Sequence, residues 1–185
     1  MRPLYIVAFG LAAAGLASCA TRPRMPVEAD ASRPFAIERD LAGKTVGRGA
    51  FKSITGADRA FTAYLEGSLD VSGGGQVFTL VEDFDYDDGE KDRKTWRLTK
   101  QPNGEWSGTR EDVVGTARGF MDGPAFRLEY KIDLPKKDGG ATRVGFRDVL
   151  ILRSDGVVYN KARVGWRGLA VGGVELEITR APAAP

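Results

Sequence analysis

The stretch 126–134 reads FRLEYKIDL, and it decides the fold class. Apolar residues occupy every second position of this stretch, and every position between them is charged. Successive side chains of a β-strand point to opposite faces, so this period predicts a strand with one dry face and one wet face. A sheet of such strands has to bury its apolar face, either by curling over it or by packing on a second sheet.

Similar alternation recurs along the chain from about Thr45 onwards. Residues 61–71 follow the same period, and Val174, Leu176 and Ile178 alternate with two glutamates. Between these segments lie turn sequences whose Gly, Asn and Asp residues supply the positive φ angles of tight hairpins. The turns are Gly73-Gly74-Gly75, Asp87-Asp88-Gly89, Pro102-Asn103-Gly104, Asp122-Gly123, Asp138-Gly139-Gly140, Asp155-Gly156 and Gly172-Gly173. Successive hairpins predict an all-β fold, an antiparallel up-and-down barrel of about eight to ten strands.

The first nineteen residues have the form of a secretory signal that ends in a cysteine. They read MRPLYIVAFGLAAAGLASC, with Arg2 before a short apolar run and small residues before Cys19. The run is short for a permanent membrane-spanning helix, which is typical of a cleaved signal peptide. The tetrapeptide 16–19 resembles the bacterial lipobox, in which a cysteine thiol accepts diacylglycerol and the peptidase cuts before it. The alternative is a plain signal peptide with an incidental cysteine.

These features predict four segments. Residues 1–18 are the signal peptide, and residues 19–34 are the lipidated Cys19 with a flexible tether that contains three prolines. Residues 35–181 form the barrel domain, beginning with one or two helical turns over 34–41, and residues 182–185 form a C-terminal tail. Ala20 follows the cysteine, and an inner-membrane retention signal would need Asp there. We therefore expect an outer-membrane lipoprotein that faces the periplasm.

Composition excludes several classes of function. The chain has 27 Lys and Arg residues against 25 Asp and Glu residues, a balance that gives no positive field for nucleic acid. The absence of histidine excludes Ser-His-Asp and Cys-His catalysis and histidine-ligated zinc. The single cysteine excludes an internal disulfide and a multi-cysteine metal site. We expect no cofactor.

The acidic run after residue 81 invites a calcium hypothesis, which its spacing does not support. Asp83, Asp85 and Asp87 have the one-three-five spacing of an EF-hand loop. Asp88 and Lys94 then occupy the positions where that loop needs Gly and a bidentate Glu. Strand alternation that ends in a turn explains the same residues, so we expect no metal site.

Two carboxyl groups fall on the apolar faces of predicted strands. Glu82 shares its face with Phe84 and Tyr86, and Asp148 shares its face with Phe146. A carboxylate in an apolar interior is costly, so each needs an arginine partner or must stay protonated. The candidate arginines Arg93, Arg97 and Arg147 lie on predicted strands, and alternation leaves open which of them point inward. The candidate ligand-binding residues are Glu82, Phe84, Tyr86, Arg97, Tyr130, Phe146 and Asp148.

Several motifs of the chain also resemble those of a known family. They are EDFDYDDGE at 82–90, Arg93, WRLT at 96–99, GEWSG at 104–108, DVVGTARG at 112–119, DGV at 155–157, NKA at 160–162 and GGVEL at 172–176. In this order they resemble an uncharacterised family of Gram-negative envelope lipoproteins, domain-of-unknown-function family 3833, over about residues 35–180. The resemblance implies a lipocalin-like barrel that faces the periplasm, and it brings no activity, substrate or catalytic residue. The chain departs from the family after Asp148. The family usually has an Asp-Trp pair there, and this chain has Val149 in the place of the tryptophan.

The function that follows is binding, without catalysis. We expect the barrel to hold an apolar or lipid-like ligand and the protein to attach to the membrane through Cys19, with protein partners left open. The first alternative is a structural or assembly module whose barrel is filled by large side chains. Those side chains would be Phe61, Phe78, Phe126, Tyr130 and Phe146. The second and weaker alternative is a hydrolase that uses a pair of carboxylates.

Overall fold

The computed structural model describes residues 23–56, 58–135 and 139–182. The predicted signal peptide, Cys19 and residues 183–185 lie outside these ranges. Among the described residues, no helix has the length and apolar character needed to cross a bilayer.

One short helix and ten strands make up the described chain. Helix α1 spans Ile37–Asp40, within the predicted helical turns. The strands are β1 (Gly43–Ser53), β2 (Asp58–Asp70), β3 (Val77–Tyr86), β4 (Lys91–Lys100), β5 (Trp106–Thr109), β6 (Ala117–Asp122), β7 (Ala125–Pro135), β8 (Ala141–Leu152), β9 (Val158–Trp166) and β10 (Leu169–Arg180). Each strand pairs antiparallel with the next along the chain, and β1 closes the barrel against β10. The predicted up-and-down barrel is confirmed.

The barrel wall is uneven because β5 and β6 are short. These strands have 4 and 6 residues, while the other strands have between 9 and 13. The segment 110–116 joins them at mid-height, where Val113 forms an isolated bridge with Ile132 of β7. The irregular segment 110–116 therefore closes the gap that the short strands β5 and β6 leave in the wall. Side chains of this segment can point into the barrel.

One end of the barrel, the closed end, is covered by α1 and the residues beside it. Phe35, Ile37 and Leu41 are at most 4% exposed, and the ring of Phe35 lies 6.0 Å from that of Phe126. Gly67 of β2 permits this close packing, because a Cβ there would lie 2.0 Å from the carbonyl oxygen of Leu41. The interior behind this cover is packed with Phe78, Leu80, Leu98, Trp106, Phe126, Leu128, Leu150, Leu152, Val158 and Ile178.

The opposite end is the open end. It is formed by the hairpins β1–β2, β3–β4, β7–β8 and β9–β10 and by the segment 110–116. The strands that run from the closed end continue past the packed layers, so the open half of the barrel has walls without a filled centre. The site lies in this half.

Residues 25–30 of the predicted tether contact the outside of the barrel. The side chains of Met25, Val27 and Ala29 pack on an apolar patch formed by Ala125, Val149, Ile151 and Tyr159. The backbone N–H of Asp30 donates to the carbonyl of Leu152 across 2.7 Å. This part of the segment is attached because the outer faces of β7, β8 and β9 carry apolar residues that it covers.

Candidate functional site

The open half of the barrel encloses a cavity of about 660 Å³. This volume lies within the range of small-molecule sites in proteins. Side chains from strands all round the barrel line the cavity, most of them apolar. Its walls are aromatic, and its floor, toward the closed end, is polar.

Two aromatic clusters form the walls. On β2 and β3 the ring of Phe61 lies 5.5 Å from Phe84 and 5.9 Å from Tyr86, both at steep angles. Across the barrel Tyr130 and Phe146 stack with their centroids 5.0 Å apart and their planes at 9°. Such rings give a wide apolar surface whose shape is set by their mutual packing.

Arg110 occupies the centre of the polar floor. It reaches inward from the segment 110–116, and its side chain is 11% exposed. Its Nε lies 2.7 Å from Oδ1 of Asp112, and its Nη1 lies 3.7 Å from Oε2 of Glu82. The guanidinium carbon stands 4.7 Å from the ring centre of Trp96 and 5.2 Å from that of Tyr130. A cation held between a carboxylate and two ring faces is rigidly oriented.

Two buried carboxyl groups share this floor. Burial raises the pKa of Glu82 to about 7, although the charge of Arg110 opposes the rise. Burial likewise raises the pKa of Asp148 to about 7, against the opposing effects of Arg110 and of hydrogen bonds from Asn160 and Tyr130. Both groups therefore change charge near neutral pH.

Arg110 and Tyr130 both stay protonated near neutral pH. Burial acts against the charge of Arg110, but the nearby Tyr130, Glu82 and Asp112 outweigh it and raise the pKa of the guanidinium. Burial, together with the charge of Asp148, raises the pKa of the Tyr130 hydroxyl well above its ordinary value. Arg110 is thus a fixed cation, and Tyr130 is a fixed hydrogen-bond donor.

Three buried acceptor oxygens of the floor have no hydrogen-bond partner among the described residues. They are Oε2 of Glu82, Oδ1 of Asp148 and Oδ1 of Asn160. A buried acceptor without a donor costs about 1–3 kcal/mol. The floor is therefore suited to a group that donates hydrogen bonds.

Six of the seven predicted ligand-binding residues line this one cavity. They are Glu82, Phe84, Tyr86, Tyr130, Phe146 and Asp148. The seventh residue, Arg97, does not line the cavity, because Trp96 and Leu98 of β4 point inward and Arg97 lies exposed on the outer face. Arg93 also lies outside, where it binds Asp83 across the hairpin.

The inward arginine, Arg110, was missed by the sequence analysis. It lies in an irregular segment, so no strand period assigns it to a face. Asn160 was also missed, although the alternation of Val158, Asn160, Ala162 and Val164 along β9 could have placed it inside. The alternation of a strand predicts which of its polar residues point inward, but it makes no prediction for a loop that folds into the barrel.

The acidic run forms ion pairs and a turn. Asp85 binds Lys91 across the hairpin at 2.8 Å, and Arg59 holds Asp88 with two hydrogen bonds of 2.8 and 2.9 Å. Over the described part of the chain no three His, Cys, Asp or Glu residues are grouped so that they could hold a metal ion. The two large side chains Phe78 and Phe126 fill the closed half, while Phe61, Tyr130 and Phe146 border the cavity.

Comparison with known proteins places the chain in a family. The family described as "Protein of unknown function (DUF3833)" matches residues 13–180, and the chain belongs to it. No curated protein matches the sequence significantly. The structure is similar to that of the S-type phycobiliprotein lyase CPES from Guillardia theta, with a TM-score of 0.61 and 8% sequence identity. The match covers 80% of this chain and 92% of the lyase chain, and it shows a shared lipocalin-like fold.

Proposed function

We propose that this protein binds an amphiphilic, lipid-like molecule in the open half of its barrel. The observation that carries the proposal is the cavity of about 660 Å³ with aromatic walls and a polar floor. An apolar body would lie between the clusters of Phe61 and Phe146, which supply the surface that drives burial. The mouth at the open end gives the molecule a way in.

The head group of the ligand would meet the floor. The free acceptor oxygens of Glu82, Asp148 and Asn160 favour a head group that donates hydrogen bonds, such as a hydroxyl, an amide or an amine. Arg110 is already engaged by Asp112 and by two aromatic rings, so it holds the floor in place before a ligand arrives.

We infer a binding protein in preference to an enzyme. A carboxylate pair that hydrolyses a bond needs one acid and one ionised partner on either side of that bond. Here Glu82 and Asp148 share the charge of Arg110, and both have pKa values of about 7. The similar structure belongs to a protein named a lyase, and that name concerns its own activity.

We also propose that the protein works in the cell envelope as an outer-membrane lipoprotein facing the periplasm. The support is the signal-like segment 1–18 followed by the chain's single cysteine, Cys19. Several acyl chains on one residue would make a stable anchor. The Cys19→Ser variant should lose incorporation of labelled fatty acid and leave the membrane fraction. If the Cys19→Ser variant stayed in the membrane fraction, the lipid anchor would be contradicted, and the proposal of ligand binding would be unaffected.

Ligand binding is tested first with the protein purified gently from its own envelope. Native mass spectrometry should show a bound molecule that is lost from a variant with a filled cavity, Ala162→Phe, since Ala162 is a buried lining residue. The matched control is Ala60→Phe, because Ala60 is exposed on β2.

A fluorescent probe gives a second readout. N-phenyl-1-naphthylamine, an apolar fluorophore with one N–H donor, should brighten on binding wild type and the Ala60→Phe variant. It should stay dark with folded Ala162→Phe protein. Equal binding to all three proteins, or binding to none, would contradict the proposed function.

A further inference from the structure

The rim of the open end has two halves of opposite character. The β3–β4 hairpin is acidic, with Asp85, Asp87, Asp88 and Glu90 near its turn. The strands β7, β8, β9, β10 and β1 are contiguous in the wall, and exposed apolar side chains lie at or next to the rim ends of β7, β9, β10 and β1. These side chains, the apolar half-rim, are Leu134 (43% exposed), Trp166 (39%), Leu169 (61%) and Ile54 (70%).

The hairpin between β9 and β10 presents part of this half-rim as a unit. Trp166 and Leu169 face each other across a two-residue turn of Arg167 and Gly168, whose φ angles are 48° and 84°. Arg167 therefore adopts the left-handed conformation that usually belongs to Gly or Asn. Its guanidinium lies 4.9 Å from the ring centre of Trp166. A cation and two apolar side chains thus project together from the rim.

A basic groove runs along the outer wall beside the apolar half-rim. It has a volume of about 570 Å³, and its floor includes Gly145 and Gly165, which pair in register and leave the space open. Its charged lining residues are Arg118, Lys131, Arg143, Arg147, Arg163, Arg167 and the single carboxylate Glu129.

The groove remains positive after its ion pairs are counted. Arg118 binds Glu105, and Arg143 binds Asp133. Lys131, Arg147 and Arg167 form no salt bridge with any residue that the structure describes. The whole chain has a net charge of only +2, so positive charge is concentrated on this face. A surface with this charge attracts anions.

We propose that the apolar half-rim and the basic groove dock the open end on an anionic lipid bilayer. Tryptophan and leucine side chains enter the boundary between head groups and acyl chains, and neighbouring cations bind lipid phosphates. The acidic β3–β4 hairpin is repelled by the same surface, so the barrel tilts toward its basic side. The mouth of the cavity then opens against the membrane, and an amphiphile enters without crossing water.

Trp166 provides the test. Of the three tryptophans, Trp96 and Trp106 are buried at 4% and 5% exposure, so Trp166 reports on the rim. The full chain is reconstituted into vesicles of phosphatidylcholine and phosphatidylglycerol with brominated acyl chains. We expect quenching of tryptophan emission in these vesicles, weaker quenching in vesicles of phosphatidylcholine alone, and no such quenching in Trp166→Phe.

Charge variants separate docking from simple tethering. The double variant Lys131→Glu with Arg167→Glu changes two exposed cations and should lower the docking equilibrium by about 30-fold or more. The matched control, Lys44→Glu with Arg48→Glu, changes two exposed cations of β1 outside the groove. Its tryptophan emission should be quenched as strongly as that of wild type. The proposal would be overturned if the wild-type tryptophan emission were not quenched in anionic vesicles. It would also be overturned if the emission of the two double variants were quenched equally. Neither result depends on whether the cavity binds a ligand.

Discussion

The two ends of this barrel are built from the same strands and behave differently. At the closed end the inward residues are large and apolar, and α1 seals them from water with Phe35, Ile37 and Leu41. At the open end the inward residues of the same strands include Glu82, Asp148 and Asn160, and nothing among the described residues covers the mouth. One end supplies stability and the other a cavity, because polar residues interrupt the inward alternation at mid-height.

The largest expected effect separates the two ends by stability. Phe78 is fully buried at the closed end, and Phe78→Ala should lower the free energy of unfolding by about 3–5 kcal/mol. Phe84→Ala, on the same strand at the partly buried cavity wall, should cost roughly half as much or less. Urea unfolding measures both, and equal losses would show that the open half is packed as tightly as the closed half.

Removing the fixed cation of the floor comes next. Arg110→Met keeps a long side chain but leaves Glu82 without its basic neighbour, which should cost about 2–3 kcal/mol at pH 8. The cost should be smaller at pH 6, because protonated carboxyl groups no longer need the cation. Unfolding curves at both pH values test this. If the loss of stability were the same at both pH values, the charge of Arg110 would not interact with the carboxyl groups of the floor.

The carboxyl groups of the floor should make the protein less stable as pH rises. The pKa of Asp148 is about 7 in the folded protein against an ordinary 3.8, so the folded state binds the proton more tightly. The stabilisation is complete below about pH 4 and is lost as pH rises through 7. Asp148→Asn removes this loss, so its stability relative to wild type should rise by about 2 kcal/mol between about pH 5.5 and pH 8.

The measurement for Asp148 is a pair of pH–stability profiles with an exposed carboxylate as control. Asp155 is exposed on the β8–β9 turn, and Asp155→Asn should not reproduce the gain that Asp148→Asn shows between about pH 5.5 and pH 8. Parallel profiles for Asp148→Asn and wild type would contradict a raised pKa at the floor.

The smallest expected effect concerns the outward-facing Arg97. Arg97 is exposed on the outer face of β4, so Arg97→Ala should change stability by no more than about 0.5 kcal/mol. It should also leave binding of N-phenyl-1-naphthylamine unchanged, whereas Arg110→Met should weaken it. Loss of binding in Arg97→Ala would return this residue to the site.

Strand alternation allowed most of the fold and part of the site to be predicted from the sequence. Strand alternation assigns each residue to a face, so it predicted the antiparallel barrel and the inward positions of Glu82, Tyr86, Phe146 and Asp148. The rule left the direction of Arg97 open, and the structure turns its neighbours Trp96 and Leu98 inward. The contact of residues 25–30 with the outer wall was also missed, because Met25, Val27 and Ala29 alternate over only five positions and Pro26 interrupts them.

The sequence by itself determined the local geometry: which residues form strands, where the chain turns and which face of each strand is apolar. These properties depend on neighbours a few positions apart. The tertiary structure decided which end is closed, how high the packed layers reach and that Arg110 stands beside Glu82. Those outcomes depend on barrel closure and on a segment that fills the gap left by two short strands. They join residues far apart in the chain, and no local pattern encodes such contacts.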